Sequence, residues 1–451
     1  MAWLLDRYGA RNPDVLRTVL GHAYQLGAQG AVLEYRYIDP DWRSEHSNLY
    51  AGTFRRYPSV THRLHFFQDR IPAEAFGVDG LAGLADLGFL GYVVLRPVPA
   101  APVGRVFLQA LPDDDLAITC QATDQVNLLG EELSVRGTGF MAQDAMLLRC
   151  AHATLWTTAY HHHRQFGAPR ALPGDITSAT PELGLGRSVP SQGLDVFQMS
   201  GASESLGLPP LVYKVDDLPA GETLLRVACR YLNSSLPVIA VGGEHAWVLV
   251  GYRREGDGFD ERIVFYRHDD EEGPYRRVEE YNLDVYAPWE YLLVPLPAKV
   301  YLPGEEAEAI GQTWLQARLE EDASSQARDV LQGLAVGRLS WRSSVHPSNR
   351  FKMALADRGI EEPVASIYRR TQLSRWVWIV EVVDRDLRRQ KLPCVVADAV
   401  IDATDHPRDL RALLVRTPST LTAWDPDRDS TRRRDDLTPQ SPWSSASGTP
   451  T

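Results

Sequence analysis

A thiol and an imidazole offer the first chemistry in this sequence. Cys150 heads the segment CAHATLWTTAY, and His245 opens HAWVLVGY further along the chain. A cysteine nucleophile needs a base for its proton, a setting that favours the thiolate, and donors for the oxyanion formed on an attacked carbonyl. At the N-terminus of a buried helix, Cys150 would gain the favourable end of the helix dipole. The apolar segment ends before Gly167 and Pro169, as such a helix would. This placement requires a helix start near residue 149 rather than at Asp144, and the sequence leaves both starts open. An isolated cysteine in an apolar run is more often a small buried hydrophobe, so the weight falls on His245. Strand alternation puts His245, Trp247 and Leu249 on one face, with Ala246, Val248 and Val250 on the other. RIVFYRHD follows as a second strand, and a turn at Gly256-Asp257-Gly258 would bring His268, Asp269 and Asp270 opposite His245. A carboxylate there would orient the imidazole and stabilise its cation. A slip of one residue exchanges faces, so register alone leaves the three open.

The elements that position these groups follow from pattern. The segment 12–25 has the spacing of an amphipathic helix with Asn12-Pro13-Asp14 as its start signal. GAVLEYRYI, HRLHFFQD and GFLGYVVLRPV read as strands. Residues 1–110 form a first α/β region on this reading. Residues 111–300 form the core: the Cys150 helix, a Pro/Gly/Ser-rich stretch, then LPVIAV, HAWVLVGY and RIVFYRHD. A helix followed by antiparallel strands is an α+β order. Residues 301–416 combine a charged helix, EEAEAIGQTWLQARLEED, with strands such as RWVWIVEVV and PCVVADAVID. From 417 to 451 Ser, Thr, Pro, Asp and Arg dominate, and the tail is expected to be disordered.

Composition narrows the class. A chain of 451 residues predicts two or three domains, and 44% hydrophobic with 24% charged residues is a globular balance. A net charge of -12 argues against a nucleic-acid binder and favours cationic peptides as partners. Cys120, Cys150, Cys229 and Cys394 form no CxxC pair, so neither a disulfide framework nor a zinc ribbon is expected; all but Cys150 read as core. The N-terminus carries an early acid and does not read as a signal peptide, and no window of about 18 apolar residues suggests a membrane span. A cytoplasmic location is the expectation. No GxxxxGK[ST] or GxGxxG occurs, so no nucleotide cofactor is expected.

Other candidate groups are weaker. His161, His162 and His163 are adjacent on a helix and point about 100° apart, so they do not converge on one metal ion. Near a helix C-terminus they are favourable dipole partners. His152 lies on another face from Cys150, and His62 and His65 have opposite strand parity. Asp402 reads as a turn acid. No metal is expected.

CAHATLW, PVIAVGGEHAWVLVGY and FYRHDDEEGPY together resemble the bacterial peptidase C39-like branch of the papain superfamily. The shared pattern is Cys-small-x-Ala-x-Leu, a Pro-Val-rich strand, His followed by five residues and Gly-Tyr, then Asp with Gly four residues on. PSQGLDVFQM (190–199) is similar to the linker helix of such proteins. The likeness covers about a third of the chain. It implies a papain-like core in which the Cys-bearing helix packs on an antiparallel sheet, and it favours Asp269, four residues before Gly273, as the third catalytic member. It also implies an oxyanion hole made by the Cys150 N–H and a Gln about six residues upstream. Gln143 stands seven residues before Cys150, and Cys-Ala replaces the family's usual Cys-Gly. The implied activity is hydrolysis of a peptide or isopeptide bond in a protein or peptide substrate. The same triad also serves transglutaminase-like acyltransferases. A scaffold without catalysis, binding a partner protein through its flanking regions, is the third reading.

Overall fold

Apolar residues at helical spacing define the first element. In α1 (Pro13–Gln25), Val15, Leu16, Val19, Leu20 and Ala23 are all buried, and Asp14 occupies the first turn, where the helix dipole favours an acid. The computed structural model describes residues 13–72, 83–144, 150–180, 194–243, 245–255, 262–278, 289–390, 392–404, 412–425, 430–434 and 444–445. Helices and antiparallel sheets make up these residues, the α+β class, and the chain divides into units Met1–Pro297 and Ala298–Thr451.

The first unit holds two antiparallel sheets. One comprises β1 (Gly30–Tyr37), β2 (Thr61–Phe67), β3 (Phe89–Leu95), β4 (Val103–Leu108), β5 (Ala122–Leu128) and β6 (Glu131–Met141), in the order β1-β2-β3-β4-β6-β5. The boundary expected near residue 110 falls inside this sheet, because β4 pairs with β6, Arg105 opposite Met141 and Leu108 opposite Thr138. β3 and β4 are buried along their whole length, whereas β5 alternates buried and exposed residues as a strand with one solvated face. The other sheet comprises β7 (Pro210–Lys214), β8 (Val238–Gly242), β9 (His245–Glu255), β10 (Arg262–Asp269), β11 (Gly273–Arg277) and β12 (Tyr291–Pro295), in the order β11-β10-β9-β8-β12-β7.

Helices α2 (Pro40–Asn48), α3 (Cys150–Phe166), α4 (Pro173–Ala179), α5 (Val196–Ser205) and α6 (Leu224–Asn233) complete this unit. α3 touches both sheets, packing on β5 and β6 and on β8 and β9. One apolar cluster joins Phe107 and Val135 of the first sheet, Leu155 and Trp156 of α3, and Ile239 and Ala246 of the second. The helix is therefore enclosed on all sides, and every residue from Ala151 to His162 is buried. Residues 117–120 run beside β9: Tyr252 N–H donates to Ala117 O (2.9 Å) and Cys120 N–H to Val250 O (3.0 Å). A Cβ on Gly251 would stand 2.1 Å from the Ala117 carbonyl oxygen. Because that neighbour is backbone, the position needs glycine.

A buried ionic network braces α3 from behind. Arg105 of β4 contacts Asp39 and Asp41 at 2.7 Å each, and Arg170 reaches Asp41 at 3.0 Å. Trp156 of α3 donates its indole N–H to the other Asp41 oxygen at 3.0 Å. Arg96 pairs with Glu45 at 3.0 Å, and Tyr50 donates to Asp144 at 2.6 Å.

In the second unit β13 (Leu339–Pro347), β14 (Trp376–Asp384), β15 (Val395–Asp402), β16 (Ala412–Arg416), β17 (Leu421–Asp425), β18 (Ser430–Arg434) and β19 (Ser444–Ser445) form an antiparallel meander in chain order. Helices α7 (Gly304–Glu321) and α8 (Ser325–Ala335) belong to it; α7 packs so closely on β14 that a Cβ on Gly311 would stand 2.4 Å from Val380. Glu381 is fully buried between Arg342 and Arg358, which hold its carboxyl down to about 2 against the cost of burial. The stretch expected to be disordered from 417 instead begins with ordered structure. Leu421 is fully buried in β17, and Thr417 and Ser419 donate hydroxyl hydrogen bonds to Asp322. Its polar composition hid these contacts; residues 426–429, 435–443 and 446–451 lie outside the described residues. No helix among the described residues is long and apolar enough to cross a membrane.

Candidate active site

Cys150 opens α3, and residues 145–149, on which the question of an earlier helix start falls, lie outside the described residues. Its side chain is half-buried against the central cluster, whereas Cys120, Cys229 and Cys394 are buried. β9, an interior strand paired to β8 through Gly242, presents His245 as its first residue. The Cys150 side chain and the His245 ring share a hydrogen bond. On its other side, His245 Nε2 lies 3.4 Å from Asp269 Oδ1 and 3.6 Å from Asp270 Oδ1. Because Nε2 faces the carboxylates, Nδ1 is the ring nitrogen left for the sulfur. Thiol, imidazole and carboxylate thus stand in series.

Asp269 is firmly held. Its Oδ2 accepts from the Trp247 indole at 3.0 Å and pairs with Arg267 at 3.0 Å. Its Oδ1 accepts the backbone N–H groups of Glu271 (3.1 Å) and Glu272 (3.3 Å). Trp247 lies edge-on to His245 with ring centres 5.0 Å apart, on the same strand face as alternation requires, and Arg267 stacks 4.8 Å over the indole. Asp269 and Gly273 face each other across a tight turn, and Gly273 has a φ of 118°, a left-handed conformation that favours glycine. That turn is the physical content of the Asp-to-Gly spacing.

The expected β9–β10 register is corrected. His268 lies opposite Val248, not His245, and Arg262 lies opposite Glu255. β9 runs on to Glu255, past the expected strand end, and the ladder shifts between Gly251 and Leu249. Asp269 reaches His245 from the strand end as the chain reverses into β11, rather than as its cross-strand partner. His268 is fully enclosed between Phe140 and Tyr275, and burial pushes its ring down to about 3.

The charges of the site support one another. Burial disfavours the His245 cation, but hydrogen bonds to Asp269 and Cys150 and the charges of Asp270 and Asp269 outweigh it and raise the ring to about 10. Burial likewise opposes ionisation of Asp269, yet the His245 hydrogen bond and charge, with Arg267 and the Glu271 N–H, hold its carboxyl below the usual range. Asp270 goes the other way: burial and the neighbouring Asp269 charge raise it to about 7 despite His245.

The remaining sequence candidates fall as follows. Gln143 donates its side-chain amide to Glu271 at 2.6 Å, beside the Asp269–Gly273 turn, and has no hydrogen bond to Cys150 among the described residues. His152 is buried and pushed down to about 4 by burial, with Asp144 opposing. His161 bonds the Ser235 carbonyl (2.8 Å), His163 bonds the Ala168 carbonyl (2.8 Å), and His162 packs against Phe166, so the three diverge. His65 is buried beside Arg63 and Glu34, and His62 accepts the Arg36 N–H. Asp402 accepts the Thr404 N–H and hydroxyl as a turn acid. The sequence does not mark Trp247 or Arg267 as partners of Asp269, although each sits two residues from a site residue and therefore shares its strand face.

No protein-family model matches the chain. No curated protein and no solved structure matches it either. The residues and their geometry carry the functional reading.

Proposed function

We propose that this chain is a cysteine peptidase with a papain-like core similar to the bacterial peptidase C39-like branch, hydrolysing a peptide or isopeptide bond. The observation that carries this reading is the bonded series Cys150–His245–Asp269, in which a half-exposed thiol meets an imidazole whose cation is favoured. A buried helix bearing the thiol, packed on the antiparallel sheet that bears the histidine, is the arrangement such a core requires.

In the reaction, the Cys150 sulfur attacks the carbonyl carbon and the carbonyl pair moves to oxygen. The His245 imidazolium then gives its Nδ1 proton to the departing amine, leaving a thioester on Cys150. Water adds to the thioester, His245 takes its proton, and the acid leaves as the sulfur is restored. Asp269 holds the ring through Nε2 and stabilises its charged form. The Cys150 N–H and the Gln143 amide are the oxyanion donors, Gln143 exchanging Glu271 for the oxyanion. An amine in place of water would make the same thioester an acyl donor.

Incubating the full chain with a mixed pool of peptides in 18O-labelled water separates these outcomes. Hydrolysis gives new C-termini carrying 18O with the wild type and none with Cys150→Ala. Amine adducts without new termini would make the chain an acyltransferase, and no Cys150-dependent product of either kind would overturn the catalytic reading in favour of a binding scaffold.

A further inference from the structure

We propose that His245, Asp269 and Asp270 form a reversible site for a divalent transition metal, zinc being the best match, and that metal bound there switches Cys150 off. The site itself stands on geometry alone; its inhibitory consequence rests on the peptidase reading above.

Nε2 of His245 lies 3.4 Å from Asp269 Oδ1 and 3.6 Å from Asp270 Oδ1, and the three ligand atoms all lie within 4.8 Å of one another. A tetrahedral zinc ion with bonds of about 2.0–2.1 Å separates its ligand atoms by about 3.3–3.4 Å. The histidine–carboxylate spacings therefore match two tetrahedron edges to within a few tenths of an ångström.

Asp270 points to a ligand independently. Its side chain is 3% exposed, and among the described residues no other residue donates a hydrogen bond to either carboxylate oxygen; its own backbone N–H is the nearest donor. A buried carboxylate without donors is costly unless a proton or a cation satisfies it. This one lies 3.6 Å from His245 Nε2. Asp269 is already oriented as metal ligands are: Trp247 and Arg267 occupy Oδ2 and leave Oδ1 toward the histidine, and two backbone N–H groups steady it. One neutral imidazole and two carboxylates balance the charge of a divalent ion. A fourth position remains for water.

Coordination needs the Nε2 lone pair, so metal binding releases the proton that Nε2 otherwise donates to Asp269. The remaining ring proton then sits on Nδ1, and that nitrogen can no longer accept the proton of the thiol. Metal-bound His245 is neither base nor cationic partner for Cys150.

Calorimetric titration of the metal-free full chain with zinc chloride tests this, alongside Cys150→Ala and Asp270→Asn. One zinc per chain is expected for the wild type and Cys150→Ala, with affinity at least about tenfold lower in Asp270→Asn. X-ray absorption of the zinc-bound wild type should show nitrogen and oxygen ligands only, a readout that does not depend on the Asp270 variant folding. Stoichiometric zinc should also suppress alkylation of Cys150, reversibly with a chelator. A zinc–sulfur distance near 2.3 Å, binding lost in Cys150→Ala, or binding unchanged in Asp270→Asn would overturn the site. Zinc bound with these ligands in a chain whose Cys150 never reacts would sustain the site and sink the peptidase reading instead.

Discussion

With His245 replaced by alanine, alkylation of Cys150 by iodoacetamide at pH 6 is expected to slow by about 10- to 100-fold. The thiolate is the reacting species, and an unassisted thiol with a pKa of about 8.5 is only about 0.3% thiolate at pH 6. In the wild type the His245 cation is favoured up to about pH 10 and is hydrogen-bonded to Cys150. An imidazolium held against the sulfur favours the reacting form, and part of the gain in rate is returned because a stabilised thiolate is a weaker nucleophile. The contrast should shrink toward pH 9, where any accessible thiol is largely ionised. Mass-spectrometric quantification at each cysteine makes the comparison internal, since Cys120, Cys229 and Cys394 are buried. A wild-type rate that climbs about tenfold per pH unit from 6 to 8, as for a free thiol, would show that the pair does not operate.

The second large effect is on stability. Arg105→Met is expected to cost about 3–5 kcal/mol, the usual result of removing one partner from a buried ion pair. Arg105 is 5% exposed, and its partners Asp39 and Asp41 are 2% and 1% exposed, so water replaces little of what is lost. Asp41 keeps Arg170 and the Trp156 indole, but Asp39 loses its ion pair with Arg105. The loss should appear as a lower urea midpoint with an unchanged denaturant slope. Adding Asp39→Asn to Arg105→Met should recover part of it, because the residual cost is an unpaired buried charge. Equal loss in the single and double variants would mean that Arg105 acts through packing alone. The network also bears on the site, since Trp156 lies about 9 Å along α3 from Cys150.

How much of this the sequence disclosed depends on the range of the contact concerned. α1, β9 and β10 follow from apolar periodicity and α3 from a mostly apolar run, both local properties, and their described bounds lie close to the segments so marked. Parity along β9 placed His245 and Trp247 on one face, and Asp269 does contact both. Register was beyond reach: β9 continues through Glu255 and its ladder shifts beside Gly251, and neither feature leaves a periodic trace. The spacing from Asp269 to Gly273 survived that error because it encodes a local turn. No local pattern marks Asp39, Asp41 and Arg105, which meet across 64 and 66 residues of chain in the core. The joining of β4 to β6 across residue 110 is likewise a pairing between distant strands. Leu421 shows the limit of composition, since one buried strand inside a polar stretch is enough to order its start.

The central claim is that Cys150 and His245 act as one nucleophilic pair, and covalent trapping tests it most directly. The full chain would be treated with a peptidyl electrophile aimed at cysteine peptidases, and the adduct located by intact mass and peptide mapping. The account predicts one adduct per chain, on Cys150, formed rapidly by the wild type, absent from Cys150→Ala and strongly slowed in His245→Ala. Slow labelling spread over all four cysteines and unchanged by His245→Ala would contradict it.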